Sequence, residues 1–477
     1  MTTGNILFVD LDGTLINSDL LLESLLTLIG RNPLYLLAIP VWLLRGKAHL
    51  KREIARRVAL RVDLLPYNKP FLDFLREEKT RGRRLVLISA SDGRLVKQVA
   101  DHLDLFEAAV GSEPALNLKG RSKLAAIESM AGSSPFDYAG NERADLVIWA
   151  RAANAILVNA SPALQHTARA RGNVATSFDP PAAGSGAWLQ ALRLHQWLKN
   201  SLLFLPLILS HQVRDTELLL LCTTAFLSFG LCASSVYLLN DLLDLDADRQ
   251  HGSKQVRPFA AGTLSAGQGL LAAAVLLLLS ALVATRLPGS FAMVLGAYYC
   301  LTLLYSFWLK QVVMIDVLVL ATLYTLRIIA GAAAISVVPT FWLLAFSMFL
   351  FMSLAMVKRY TELLVLRSTS IAQAPGRGYV AGDLEILSML GTASGFMAVL
   401  VFALYINADD TRQLYGTPEI LWLICPLLLY QISRFWLLAH RGQLHDDPVV
   451  FAITDRRSLA VVTLAGLLVW AAARSWF

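Results

Sequence analysis

Two carboxylates follow a short apolar run near the start of the chain, and their spacing could support phosphoryl chemistry. Residues 6–9 form an apolar run typical of a buried strand, and Asp10 and Asp12 come directly after it. Because side chains alternate along an extended strand, the two carboxylates point the same way. One can attack phosphorus while the other acts as general acid and base. We therefore interpret the motif as catalytic rather than as an ordinary Asp-x-Asp-Gly turn.

A second group of carboxylates lies where a long apolar run ends. Asp241, Asp244 and Asp248 are spaced i, i+3 and i+7, so they share one face of a helix. Three like charges near lipid repel one another and are costly to bury. A divalent cation with a diphosphate on its far side removes that penalty, because hard cations prefer carboxylate oxygen. Asn240 just before the motif and basic residues after it favour this interpretation over a solvated acidic helix end.

Several other polar residues of the apolar region could bind anionic groups. For those in loops, anchoring of the chain by positive charge is an equally good explanation. Charges within the membrane are costly without a role, so function is favoured for the two residues placed there, Asp316 and Arg327. The full set is Lys199, Arg257, Tyr305, Lys310, Asp316, Arg327, Lys358 and Arg359.

The elements that carry these residues belong to two regions of different composition. The chain of 477 residues is 56% hydrophobic and 16% charged, which is too apolar for an ordinary soluble enzyme. Residues 1–187 hold 42 charged side chains, whereas the longer stretch 188–477 holds 35. We predict a soluble domain at 1–180, a linker at 181–187 and a membrane domain at 188–477. The composition excludes a disordered chain, a secreted disulfide scaffold and a nucleic-acid-binding tail, and we expect no nucleic acid partner.

The membrane region contains nine apolar stretches that we predict to be transmembrane helices. With the N-terminus inside, loops on that side carry eleven Lys and Arg against four on the other, which follows the positive-inside bias. No signal peptide is recognisable. We therefore expect a multi-pass protein of the bacterial inner membrane, with the soluble domain and active sites in the cytoplasm. The stretches are near 190–210, 217–239, 264–286, 290–309, 314–336, 340–357, 385–408, 419–438 and 458–474.

The soluble region alternates short apolar runs with helix-like stretches, which predicts a parallel α/β fold. The apolar segment at 33–44 is too short to span a bilayer. It is compatible with an interfacial segment resting on the membrane and equally with an ordinary buried helix. The predicted strands are near 6–9, 85–88, 146–148 and 155–158.

Residues 4–178 resemble the haloacid dehalogenase superfamily of phosphatases. The stretch beginning at Asp10 matches the first motif of that family, Ser89 the second and Lys123 the third. The resemblance implies a Rossmann-like fold and Mg²⁺ as cofactor. It also implies that Asp10 forms an aspartyl phosphate, that Asp12 is the general acid and base, and that Ser89 and Lys123 hold the phosphate.

The fourth motif of that family is incomplete in this chain. Asn141 stands where a charged Mg²⁺ ligand is usual, whereas Asp145 is retained. A hard cation prefers carboxylate oxygen, so the neutral side chain weakens the expected metal site. An inactive regulatory or scaffolding domain is therefore the alternative to a phosphatase.

Residues 188–477 resemble the UbiA superfamily of intramembrane prenyltransferases, on the acidic motif from Asn240 to Asp248. The second acidic motif of many members is absent, because Leu320 stands four residues after Asp316. The finer pattern resembles the decaprenyl-phosphate phosphoribosyltransferase branch. That resemblance implies transfer of 5-phosphoribose from 5-phosphoribosyl 1-diphosphate to a polyprenyl phosphate within the lipid bilayer, with Mg²⁺ on the aspartates. Prenyl transfer to an aromatic or other acceptor is the alternative, and the oligomeric state is left open.

Overall fold

A computed structural model describes residues 4–113, 117–180, 184–252, 254–368, 377–444 and 447–473. The chain divides into two compact units, each built from two segments. The first unit comprises Met1–Leu192 and Tyr237–Ala273, and the second comprises Arg193–Val236 and Ala274–Phe477. The linker predicted at 181–187 stays a prediction, since residues 181–183 lie outside the described part and a helix begins at Ser185. The return of the chain to the first unit at Tyr237 was not foreseen.

The parallel α/β fold predicted for the first region is confirmed. One sheet of six parallel strands has the order β3-β2-β1-β4-β5-β6. Strand β1 is buried along its whole length, as expected for a continuous apolar run at the centre of a parallel sheet. The strands are β1 Ile6–Val9, β2 Leu85–Asp92, β3 Ala108–Ser112, β4 Phe136–Gly140, β5 Asn154–Val158 and β6 Val174–Phe178.

The strand predicted at 146–148 is wrong. Leu146–Trp149 is a short helix, and the strand that pairs with β1 is β4. Ile148 and Trp149 are buried in the cluster that covers one face of the sheet. An apolar triplet looks the same in a buried strand and in a helix that caps the sheet, so periodicity could not separate the two.

Helices cover both faces of the sheet, and the side chains of each strand pack alternately into one of two hydrophobic cores. Leu7 and Val9 pack on one face, whereas Ile6 and Phe8 pack on the other. Between β1 and β2 the chain inserts four helices, α1 to α4. The helices of the first segment are α1 Leu20–Arg31, α2 Tyr35–Leu44, α3 Lys47–Ala55, α4 Lys69–Thr80, α5 Gly93–Leu103, α6 Arg121–Ala131, α7 Leu146–Trp149, α8 Pro162–Arg169 and α9 Ser185–Leu192.

The rest of the chain is helical. A 3-10 helix at Leu194–Phe204 opens the second unit. Helix α12 belongs to the second segment of the first unit. The helices are α10 Leu205–Leu209, α11 Thr216–Leu243, α12 Leu245–Gln250, α13 Ala266–Ala284, α14 Gly289–Phe307, α15 Ile315–Ala334, α16 Phe341–Ser368, α17 Leu384–Ile406, α18 Asp409–Leu414, α19 Ile424–His440, α20 Pro448–Thr454 and α21 Arg456–Ala472.

The prediction of nine membrane helices is wrong in number. Within the described residues, seven helices are long and apolar enough to cross a membrane. The first predicted span, 190–210, is broken at Arg193, whose φ of 50° ends α9, and continues as a 3-10 helix. The last, α21, has 17 residues, or about 26 Å at 1.5 Å per residue. Residue 474, at its predicted end, lies outside the described part.

Candidate active sites

Asp10 lies at the carboxyl end of β1, where the strand order of the sheet reverses. Strands β2 and β4 lie on either side of β1, and ligands of open α/β sheets bind at such a switch point. The Asp10 carboxylate is 2.8 Å from Nζ of Lys123, and both side chains are buried. Burial raises the pKa of Asp10 to about 7, although Lys123 opposes the rise. A further cation beside Asp10 would favour the ionised form that a nucleophile requires.

Asp12 is held by three hydrogen bonds. Its Oδ2 accepts from the hydroxyls of Ser89 at 2.9 Å and Ser91 at 2.6 Å, and its Oδ1 accepts from the amide of Leu20 at 2.8 Å. Ser89 is fully buried, whereas Ser91 lines the cavity described below. The structure therefore brings Ser89 to Asp12 and adds Ser91, which sequence reasoning missed. A second serine two residues along the same strand was the signal.

Asn141 and Asp145 follow β4 and lie beside the Asp10 loop. Oδ2 of Asp145 accepts hydrogen bonds from the amides of Asn141 at 3.1 Å and Glu142 at 2.9 Å, and Oδ1 accepts from the Tyr138 hydroxyl at 2.9 Å. Gly13, whose φ is +70°, leaves no room for a Cβ against the Asn141 side chain. Among the described residues, Oδ1 of Asn141 is a buried acceptor without a hydrogen-bond partner.

These residues fit a divalent cation by the chemistry of their donors. Asp10, Asp145 and the unpartnered Oδ1 of Asn141 offer the oxygen ligands that Mg²⁺ prefers. No group of three or more His, Cys, Asp or Glu placed to hold a metal occurs within the described part of the chain. A metal here would therefore need the Asn141 carbonyl as a ligand. The departure from the family pattern thus leaves an acceptor available rather than removing one.

A cavity of about 320 Å³ opens beside Asp10. Burial lowers the pKa of one of its lining residues, Lys51, whose Nζ donates to the carbonyl of Ala90 at 2.7 Å. Sequence reasoning missed the cations of α3, although a basic run follows the apolar segment at 33–44. The charged side chains lining the cavity are Asp10, Asp12, Asp19, Lys47, Lys51, Arg52, Asp92, Glu113, Lys119, Lys123, Glu142 and Asp145.

The three aspartates of the acidic motif lie at the junction of α11 and α12. Asp241 is in the last turn of α11, Asp244 separates the two helices and Asp248 is in α12. The amide of Asp248 still donates to the carbonyl of Asp244 at 2.8 Å, so the helical course continues through the junction. Nη1 of Arg257 lies 3.1 Å from Asp241 and 2.7 Å from Asp248. Arg257 thus bridges the two buried carboxylates and offsets one of their two charges, and Asn240 lies half-buried beside them.

Arg249, next to the last aspartate, is anchored to the α/β sheet domain, which is the part of the first unit that contains strands β1 to β6. Its guanidinium makes two bonds to the Glu23 carboxylate on α1, at 2.7 and 3.0 Å. The Arg249 Nε also donates to the carbonyl of Ala260 at 3.1 Å. Both charged side chains are buried. The two residues are 226 positions apart, and no local signal in the sequence could have paired them.

In the second unit, Asp447 forms ion pairs with two of the predicted phosphate-binding cations. Its Oδ2 is 2.7 Å from Nζ of Lys199 and 3.2 Å from Nζ of Lys358. Its Oδ1 accepts from the Tyr324 hydroxyl at 3.0 Å. Sequence analysis did not select Asp447 as a site residue, although an Asp-Pro pair at a helix start was a visible signal. Two lysines sharing one carboxylate leave a net positive charge, which suits an anionic group.

Asp316 and Arg327 lie on α15 but have separate partners. Asp316 is fully buried and binds Arg359 at 2.5 and 3.0 Å and the Tyr305 hydroxyl at 3.1 Å. Arg327 donates to Oδ1 of Asn200 at 3.0 Å and lies over three aromatic rings. The structure therefore engages Arg359 with a carboxylate and surrounds Arg327 with aromatic rings. Lys310 lies in a 3-10 helix, Leu309–Gln311, and is half-buried.

Similarity to known proteins identifies the family. Residues 202–365 match the UbiA prenyltransferase family. The decaprenyl-phosphate phosphoribosyltransferase of Mycobacterium tuberculosis is 36% identical over 283 residues, which cover 58% of this chain and 91% of that protein. The chain belongs to the UbiA prenyltransferase family. This UbiA-family chain is thus a multi-pass membrane protein and a transferase, as the sequence predicted.

The UbiA-family chain is also similar to two further proteins. The uncharacterized protein y4nM of Sinorhizobium fredii is 38% identical over 456 residues, which cover 95% of this chain and 88% of that protein. The nodulation protein NoeC of Azorhizobium caulinodans is 34% identical over 275 residues, covering 58% of this chain and 89% of that protein. The similarity to y4nM therefore extends beyond the membrane region into the α/β sheet domain.

Proposed function

We propose that the membrane domain transfers 5-phosphoribose from 5-phosphoribosyl 1-diphosphate to a polyprenyl phosphate. An oxygen of the lipid phosphate forms a bond to C1 of the ribose, and the bond from C1 to the diphosphate breaks. The observation that carries this proposal is the 36% identity to decaprenyl-phosphate phosphoribosyltransferase along 91% of that enzyme. The chain contains one set of aspartates and several cations, which is compatible with a donor that carries a diphosphate and a separate phosphate.

The roles of the residues follow from their charges and partners. Asp241, Asp244 and Asp248 do not form a three-carboxylate metal site by themselves, so they would hold Mg²⁺ together with oxygens of the diphosphate, whose departure the ion would stabilise. Arg257 already bridges two of these carboxylates, so it can keep them ionised and close together before the donor binds. Phosphate groups would bind the cations named from the sequence, with Lys199 and Lys358 held side by side by Asp447.

We also propose that the α/β sheet domain removes the 5-phosphate of the transferase product. Asp10 would attack the phosphorus, the bond from phosphorus to the ribose oxygen would break, and Asp12 would give the leaving oxygen its proton. Water would then release phosphate from the aspartyl phosphate and restore the carboxylate. The supporting observation is the buried Asp10 and Lys123 pair at the switch point, which opens into a cavity that holds Asp12 and Asp145.

The transferase proposal is tested with purified full-length protein, Mg²⁺, radiolabelled 5-phosphoribosyl 1-diphosphate and polyprenyl phosphate. We expect lipid-soluble label, and we expect Asp241→Ala and Asp244→Ala to abolish it because each removes a proposed metal ligand. Asp215→Ala, on an exposed loop before α11, is the control and should retain wild-type transfer. Prenylation of an aromatic acid with no use of the phosphoribosyl donor would support the alternative function instead.

The phosphatase proposal is tested on the same reaction by product analysis. Wild-type protein should yield the dephosphorylated ribolipid. The Asp10→Asn variant should lose this activity by roughly 10³-fold or more and accumulate the 5-phosphorylated lipid, because the nucleophile is lost. Transfer itself should be unchanged, since it uses other residues. Equal accumulation of the phosphorylated lipid by both proteins would favour the scaffolding role of this domain.

A further inference from the structure

Helix α2 presents an apolar surface to solvent. None of the ten residues of Tyr35–Leu44 is buried, and Leu37 and Leu44 are 77% and 88% exposed. The structure therefore excludes the ordinary buried helix that the sequence allowed. Contiguous exposed apolar surface of this kind marks an interaction site in a folded protein. The exposed apolar residues of the segment are Leu34, Leu36, Leu37, Val41, Leu43 and Leu44.

The position of α2 within the first unit points to a bilayer as the partner. Helix α1 directly precedes α2 and contacts the ends of two membrane-crossing helices. A Cβ on Gly30 would lie 3.6 Å from the carbonyl oxygen of Leu243, the last residue of α11. A Cβ on Gly267, in the first turn of α13, would lie 4.0 Å from the Leu22 side chain. The chain therefore enters α2 close to the end of α11, one of the helices long and apolar enough to cross a membrane.

The charges around α2 suit an anionic lipid surface. Residues 31–57 contain seven Lys and Arg and one acidic residue, Glu53. One of these cations, Arg57, lies 4.8 Å from the centre of the Trp42 ring on α2. Apolar residues flanked by Lys and Arg, with an aromatic ring among them, are typical of helices that lie in the membrane interface.

The same stretch also lines the cavity beside Asp10. The cavity is lined by Lys47, Lys51 and Arg52 of α3. Gly46 directly precedes α3 and lies two residues after the end of α2. Three cations that line the cavity thus lie within eight residues of the end of the exposed apolar helix. A substrate whose phosphate is attached to a lipid could reach Asp10 without leaving the bilayer.

We propose that α2 inserts into the lipid interface and that the cavity beside Asp10 takes a lipid-anchored phosphomonoester rather than a soluble one. This inference rests on the proposed phosphatase activity. The cations of α3 attract the phosphate, and α2 keeps the cavity mouth at the lipid surface. Hydrolysis itself follows the balance given above: the phosphate ester bond breaks, water supplies the new oxygen, and the lipid-linked alcohol stays in the membrane.

The test uses full-length protein in nanodiscs that contain anionic lipid. The variant Leu37→Glu/Leu44→Glu is compared with Met130→Glu/Val147→Glu, which alters two exposed apolar residues of the same unit outside residues 31–57. For each protein, the rate of hydrolysis is measured with p-nitrophenyl phosphate in solution and with 5-phosphoribosyl lipid in the bilayer. The α2 variant should lose roughly tenfold or more on the lipid substrate alone, because charges oppose insertion of the helix. The control variant should match wild type on both.

A second measurement reports insertion without catalysis. Cys300 is the exposed cysteine among those described, so a nitroxide at Leu37→Cys in a Cys300→Ser background labels α2 selectively. We expect the label to be more accessible to oxygen than to an aqueous nickel complex, and a label at Met130→Cys to show the reverse. An aqueous label on α2, or wild-type lipid hydrolysis by Leu37→Glu/Leu44→Glu, overturns the inference. Wild-type protein that hydrolyses neither substrate overturns the proposed phosphatase, and this inference with it.

Discussion

The buried carboxylate of Asp447 organises two cations at once, which makes it a sensitive position at the scale of single residues. Removing its charge leaves Lys199 and Lys358 near each other without a counter-charge. We expect Asp447→Asn to lower the free energy of unfolding by about 3 kcal/mol, the cost of breaking a buried ion pair. Transfer should fall by roughly 100-fold, because misplacing substrate-binding groups slows the reaction.

Matched variants separate stability from activity at this position. Asp455→Asn breaks the more exposed ion pair with Arg434, and thermal unfolding should show a smaller loss. Lys199→Met/Asp447→Asn removes one of the two unpaired cations, so it should regain part of the stability but none of the transfer. Recovery of transfer in this double variant would mean that Lys199 has a structural role alone.

Individual residues were predictable where chemistry is encoded locally. Asp10 and Asp12 were assigned because they follow an apolar run, and Ser89 was assigned from the resemblance to a phosphatase family. The structure brings Ser89 to Asp12 through a hydrogen bond. Asp447 and the tie between Arg249 and Glu23 were not assigned, because their partners are distant in sequence. Arg359 was chosen as a cation for phosphate, and the fold engages it with Asp316, a carboxylate 43 residues away.

At the scale of elements, the loop between α12 and α13 packs closely against the turn that follows β1. Gly262 has φ +71°, and a Cβ there would lie 2.9 Å from side-chain atoms of Asn17 and Pro66. We expect Gly262→Ala to destabilise the protein by roughly 1–3 kcal/mol, since both the backbone conformation and the contact are unfavourable. Gly252→Ala, with nothing within 4 Å, should change the melting temperature little. Equal effects of the two substitutions would contradict the close approach.

Strands and helices could be predicted from the apolar pattern only where the length of the run and its burial indicated the same type of element. Strand β1 is a continuous apolar run and β2 begins with one at residues 85–88, and both strands were found. The helix at Leu146–Trp149 was misassigned because four residues, of which Ile148 and Trp149 are buried, are too few to show a usable period. The stretch at 190–210 has the composition of a span, but its backbone turns at Arg193 and follows a 3-10 course. Hydropathy measures composition, so it could not detect that break.

At the scale of the whole molecule, the ion pair between Glu23 and Arg249 joins the α/β sheet domain to the acidic motif. We expect Glu23→Gln and Arg249→Met each to lower transfer by about tenfold, because Arg249 adjoins Asp248 in α12. In a double-mutant cycle the two losses should not add, since both remove the same interaction. Glu77→Gln, which alters an exposed surface pair, is the control and should leave transfer unchanged. Fully additive losses would contradict coupling through this pair.

The division of the first unit into two segments has a consequence for how the protein is made. A ribosome delivers residues in order, at about 5–20 per second. The sheet is complete by Phe178, but the unit that contains it also needs Tyr237–Ala273. Those residues emerge only after most of α11 has been synthesised and offered to the insertion machinery. Until then Glu23 lacks Arg249, so we expect a nascent chain stopped before residue 237 to be cleaved by proteases faster than one that extends past residue 273.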